Sequence, residues 1–173
     1  MNRMQANPIS PPTHSEAIVA LIDQVKAKGV ALQTRSALIA LHFLLPTLFL
    51  PALDLLDQSL VGKFSVELEN SISSYFVYYV RSTQSNNGLS SRVAYEVRPD
   101  VWSCTCPGFV VSAYSLDYES CRNENWGGQI IGSPPLCKHL LACILAERSG
   151  EAFKEKVKHS TVTMEELAEY GIS

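Results

Sequence analysis

The apolar positions change period along this chain, and the change divides it in two. Ile18, Leu21, Ile22 and Val25 recur at helical spacing, Thr13 and Glu16 fit a capping box, and Gly29 offers a stop, so a helix is predicted over 13–28. A second helix is predicted from Thr34 or Arg35 to about Leu45, because Pro46 disfavours helical backbone in the residue before it. A short third helix over 52–60 would carry Leu53, Leu56 and Leu60 on one face and stop at Gly62.

Past Phe64 the period shortens. Tyr75-Phe76-Val77-Tyr78-Tyr79-Val80 is aromatic and β-branched, which suits a pleated, half-buried strand. The stretch 84–91, with Asn86-Asn87-Gly88, reads as a turn, and the alternation of Val93, Tyr95 and Val97 as the returning strand. Pro99-Asp100 makes a further turn, and a third strand is predicted over 101–104. Residues 112–135 are polar and Gly-containing and read as an exposed insertion. A helix over 138–148 follows, with Leu141, Ile144 and Leu145 as its apolar stripe and Ser149-Gly150 as its end. The last helix, over 164–170, sits behind a Thr163…Glu166 capping box.

The chemistry lies where strands give way to helix. Cys104 and Cys106, then Cys137 and His139, form Cys-x-Cys…Cys-x-His with 30 residues between the pairs. Thiolate and imidazole suit tetrahedral zinc, with Zn–S about 2.3 Å and Zn–N about 2.0–2.1 Å. Four protein ligands leave no position open, which points to one structural zinc rather than a catalytic one. Cys104 and Cys106 are expected on one face of a strand end, and Cys137 and His139 in the first turn of the following helix. A reduced cysteine is commonly just a small buried apolar residue, and that explains Cys143 on the inner side of a helix. It explains two closely spaced Cys/His pairs badly. Cys143 lies one turn beyond His139, where Cys137 already fills that quadrant, and nothing near Cys121 repeats a ligand spacing.

Composition narrows the class. The 173 residues are 46% hydrophobic and 18% charged, enough for one domain, or a small domain with an added helical segment. A net charge of −3 supplies no overall field that would draw nucleic acid. Five cysteines, an odd number, fit a reducing compartment better than a disulfide framework. Residues 1–12 are polar and Pro-containing, without the apolar run of a secretory signal, and read as a disordered tail. The apolar stretch 37–53 just reaches the lower length for a membrane span, but it contains His42, Pro46 and Pro51, so a buried or partner-covered helical segment is expected instead.

No catalytic constellation accompanies the metal pattern. Each His with a nearby Cys belongs to that pattern, His14 and His159 are expected at the surface, and His42 is expected as a satisfied core histidine. Gly62-Lys63 lacks the phosphate-loop frame, and Phe64 stands where a magnesium-binding hydroxyl would be needed. An enzyme is not expected.

The local sequences Trp102-Ser103-Cys104-Thr105-Cys106-Pro107-Gly108-Phe109 and Leu136-Cys137-Lys138-His139-Leu140-Leu141-Ala142 resemble the SWIM zinc-finger pattern, Cys-x-Cys…Cys-x-His-x-x-Ala. With the run Leu41-His42-Phe43-Leu44-Leu45 and Leu50-Pro51-Ala52-Leu53-Asp54-Leu55-Leu56-Asp57, the chain is similar over about residues 36–148 to the SWIM subunits of the Shu complex. Its spacer is longer and richer in Gly and acidic residues than that family leads one to expect. The resemblance implies a nuclear, non-enzymatic regulator of homologous recombination and DNA-damage repair. Such a subunit pairs with a RecA-like recombinase paralogue and supports recombinase filaments on single-stranded DNA, with at most weak or indirect DNA contact of its own.

Two other classes compare less well. A SWIM finger that binds DNA directly needs a basic face, and residues 87–149 offer only Arg92, Arg98, Arg122, Lys138 and Arg148 with acids among them. A RING-type ubiquitin ligase needs eight ligands at spacings absent here. The fold expected is α+β: a tail over 1–12, a helical segment over 13–62, a zinc-stapled β-hairpin/α domain over 63–149 with an insertion near 112–135, and a short C-terminal helix within 150–173. Leu38, Leu41, Leu45, Leu48, Phe49, Leu53, Leu56 and Leu60 exceed what a small finger can cover. The face around 49–60 is therefore expected to dock the partner, unless the first two helices pack over it.

Overall fold

The structure, a computed structural model, describes residues 14–25, 31–66, 75–81, 93–114 and 135–170. The 1–12 tail, Thr13, Gly29, the 84–91 turn, Cys121 and most of the 112–135 insertion lie outside the described residues. The chain is α+β. Three helices, α1 (His14–Gln24), α2 (Ala31–Leu44) and α3 (Phe49–Asp57), precede β1 (Val61–Val66), β2 (Tyr75–Arg81), β3 (Ala94–Arg98) and β4 (Ser103–Cys104). Then come α4 (Pro107–Tyr114), α5 (Lys138–Arg148), α6 (Glu151–Lys154), β5 (Lys158–Val162) and α7 (Met164–Tyr170). The strands form one mixed sheet in the order β4-β3-β2-β1-β5, antiparallel except where β5 runs parallel to β1. No helix among the described residues is long and apolar enough to cross a membrane.

The third helix corrects the sequence reading at both ends. It starts at Phe49, so Pro51 is its third residue. Proline is tolerated there because a first-turn N–H has no partner within the helix. The helix stops before Gly62: Ser59 takes the left-handed conformation (φ 51°), its N–H donates to the Leu56 carbonyl at 2.9 Å, and the Leu60 N–H to the Leu55 carbonyl at 3.0 Å. That pair of bonds is a Schellman closure with serine where glycine is usual. Gly62 is then free to join β1 opposite Tyr79 and Lys158.

Alternation decides the faces of the sheet. Val61, Tyr78, Val80, Val97 and Cys104 share the inner face through their register and are buried. Helix α5 packs between this face and α3, and reaches α1. The sequence predicted one apolar stripe on α5, yet every residue from His139 to Leu145 is buried. A helix covered all round is a central core element. Ala142, at the alanine position of the motif, is fully buried.

This packing overturns the expected docking face. One cluster of buried side chains runs from Ile18 to Val157 and includes Leu41, Leu45, Phe49, Leu55 and Leu56, with Leu38, Leu48, Leu53 and Leu60 partly buried against it. The long apolar run is mostly interior. What it leaves outside is Ile39, Phe43 and Leu50, with Phe43 78% exposed.

Strand β5 and helix α4 escaped the sequence reading. The β1–β5 pairing joins strands almost a hundred residues apart, and β5 is nearly all exposed, so it carries no apolar alternation to announce it. Helix α4 begins directly after Cys106, between the strand predicted over 101–104 and the insertion predicted from 112, where no element was expected. The C-terminal helix behaves as expected: the Thr163 hydroxyl accepts from the Glu166 N–H at 3.2 Å and the Glu166 carboxylate from the Thr163 N–H at 2.9 Å.

Candidate metal centre

Each of the four candidate ligands is set by a different local device. Cys104 ends β4, opposite Val97 of β3. Thr105 then turns outward and is tied to β3, its N–H donating to the Glu96 carbonyl and its hydroxyl accepting from the Glu96 N–H, both at 3.0 Å. The next side chain therefore turns back inward.

Cys106 is not a strand residue, contrary to expectation. It caps α4, its carbonyl accepting from Phe109 and Val110 at 3.1 and 3.2 Å, with Pro107 at the first helical position. Cys137, in extended backbone, caps α5, and His139 follows in the first turn.

These devices bring the three sulfurs and the imidazole together. One ligand atom from each of Cys104, Cys106, Cys137 and His139 lies within 4.8 Å of the others, and all four residues are buried. The ligand–ligand edge of a tetrahedral zinc shell is roughly 3.8 Å, from the bond lengths such sites show. The 4.8 Å limit on the cluster lies within about 1 Å of that edge.

The surroundings favour negative sulfur. Cys104 Sγ accepts from the Cys106 N–H at 3.5 Å, Cys106 Sγ from the Phe109 N–H at 3.2 Å, and Cys137 Sγ from the Leu140 N–H at 3.4 Å. Two of the three thiols also stand at helix N-termini, where the backbone dipole stabilises an anion. Sequence reasoning missed these amides, although Pro107 directly after Cys106 was a usable signal for a helix start.

Hydrogen bonds from Cys104 and Cys137 hold the Cys106 thiol far below its ordinary range. Its partners move the other way. Cys104 is pushed far up by its hydrogen bonds to Cys106 and Cys137 and by burial. For Cys137 the hydrogen bond with Cys104 lowers the value, but the bond to Cys106 and burial outweigh it and raise the thiol to about 11.

The imidazole supplies the sharpest sign. Both ring nitrogens of His139 are buried with no hydrogen-bond partner among the described residues, while the ring packs on Tyr95 at 4.8 Å between centroids. Each unsatisfied buried polar atom costs about 1–3 kcal/mol. A metal ion bound to one nitrogen removes part of that cost, and the donor set of three sulfurs and one nitrogen fits it.

The other candidates fall elsewhere. Cys143 is fully buried in α5 outside the cluster, and burial pushes its thiol well up. His159 is exposed on β5. His42 is half-buried beside Phe43 and Phe49, and its Nδ1 has no partner among the described residues, so it is not the satisfied core histidine expected. No protein-family model matches this chain, and no curated protein matches it.

Proposed function

We propose that the cluster is a structural zinc site, that the chain is a SWIM-type zinc-finger protein, and that it acts as a non-enzymatic adaptor in nuclear homologous-recombination repair. The observation that carries the zinc reading is the closed, buried shell of Cys104, Cys106, Cys137 and His139 with orphaned imidazole nitrogens. Borderline-soft Zn²⁺ matches sulfur and imidazole donors, whereas magnesium and calcium require oxygen. With four protein ligands no position is left for water or substrate, which supports a scaffold rather than a catalyst. Held there, the ion would join the end of β4, the start of α4 and the start of α5.

The role in recombination rests on the likeness of residues 36–148 to the SWIM subunits of the Shu complex, with a RecA-like recombinase paralogue as partner. Exposed Ile39 and Phe43, one turn apart on α2, and Leu50 on α3 offer that partner apolar contacts. Elemental analysis of the purified chain should give about one zinc per chain. Affinity purification from cells followed by mass spectrometry should recover a recombinase paralogue, and Phe43→Glu should lose it while keeping zinc. Recovery of no recombination protein, or tight binding of single-stranded DNA by the isolated chain, would reject the adaptor role in favour of a directly DNA-binding finger.

A further inference from the structure

We propose that Trp102 and Ser112 form a two-point latch that holds the Cys137–His139 half of the site against the Cys104–Cys106 half, making both positioning residues for the metal. The inference rests on the zinc reading above. The two ligand pairs are separated by 30 residues, and closing so long a connection on a metal costs chain entropy unless something else keeps its ends together.

Two hydrogen bonds do so, one on each arm. The Trp102 indole N–H donates to the Pro135 carbonyl at 2.7 Å, joining the residue two before Cys104 to the residue two before Cys137. The Leu136 N–H donates to the Ser112 hydroxyl at 3.2 Å, joining the residue next to Cys137 to the helix that Cys106 caps. The two bonds close 33 and 24 residues of chain, and on the second arm they hold the residues two and one before Cys137.

The backbone at Trp102 supports the assignment. Trp102 adopts φ 53°, the left-handed region that a bulky side chain seldom occupies. Glycine or asparagine would meet the needs of that turn with less strain. The strained residue is instead an indole packed against the core, with its one polar atom aimed at the opposite arm of the site. Burial alone would be met as well by phenylalanine; the N–H distinguishes tryptophan.

The test measures zinc release from the folded, zinc-loaded protein to a chromogenic chelator, for wild type, Trp102→Phe, Trp102→Gly and Ser112→Ala. Removing an outer partner of a metal site typically weakens retention 10–100-fold. Trp102→Phe and Trp102→Gly should each release zinc roughly ten-fold faster or more, and Ser112→Ala several-fold faster. The visible spectrum of the cobalt-substituted forms should keep its tetrahedral pattern, because all four ligands remain. Should Trp102→Phe fail to fold, Ser112→Ala decides alone. Wild-type release rates in the variants, with only the melting temperature lowered, would make Trp102 and Ser112 packing residues and overturn the latch. Trp102→Gly with unchanged zinc retention and raised stability would overturn it too. A wild type that takes up no zinc at all would instead overturn the metal reading itself.

Discussion

Cys137 carries two roles that one atom can separate. Its sulfur is a proposed metal ligand, and it also accepts the Leu140 N–H at 3.4 Å as the N-cap of α5, the central helix of the core. Cys137→Ser keeps an oxygen acceptor, and serine is among the best N-cap residues, but a neutral hydroxyl is a poor zinc ligand. Cys137→Ala loses both roles. A missing cap costs about 1 kcal/mol, whereas zinc in small zinc domains contributes on the order of 10 kcal/mol. The core from Ile18 to Val157 is far larger than the metal corner, so the zinc-free chain should retain structure. At free zinc one hundred times the dissociation constant, binding adds about 2.7 kcal/mol of stability. The assay is urea unfolding of all three proteins in zinc-buffered solution and again with a strong chelator. With chelator, wild type and Cys137→Ser should unfold together and Cys137→Ala about 1 kcal/mol earlier; with zinc, only wild type should gain. Equal zinc stabilisation of Cys137→Ser and wild type would remove Cys137 from the shell, and no zinc effect on any of the three would refute the site.

Zinc affinity should fall on acidification. Burial and the hydrogen bonds among the sulfurs raise the Cys104 and Cys137 thiols, and zinc takes thiolates, so binding near pH 7.5 should release thiol protons, readable with an indicator dye; release near zero would show that the thiols are not raised. Ser59→Gly should raise stability by roughly 1 kcal/mol by relieving the left-handed serine at the end of α3, and an unchanged or lowered urea midpoint would show that position to be unstrained. Ala142→Leu should cost about 1–3 kcal/mol through overpacking at a fully buried helix position, and an unchanged melting temperature would place slack there. Leu56→Glu should unfold the chain, as a charge placed at a fully buried core position, while Phe43→Glu should not; circular dichroism of the two variants checks both.

What the amino-acid sequence determined by itself is whatever acts over a few residues. The ligand types and spacing, the start of α5 at Cys137, the reciprocal Thr163–Glu166 cap, and the strand character of 75–80 all follow from neighbours within about one turn or one pleat. They are legible because caps, turns and side-chain periods are local physics. The proposed zinc rests on the donor set and the proposed cellular role on the resemblance to SWIM proteins, and metal analysis and purification from cells will decide them.

Only the tertiary structure decided what depends on distant partners. Whether the leucines of 49–60 face solvent or the core is a matter of what α5 brings against them, and α5 brings its whole circumference. Gly62 reads as a helix stop until Ser59 is seen to take that duty, and Pro51 reads as a helix break until its place in the first turn is known. Strand β5 exists because β1 has an open edge, not because its own residues alternate. The site itself is of this kind: ligand types can be read from the chain, but the meeting of β4, α4 and α5 that brings three sulfurs and one imidazole together is set by packing and by hydrogen bonds that close 33 and 24 residues of chain, which no local period can encode.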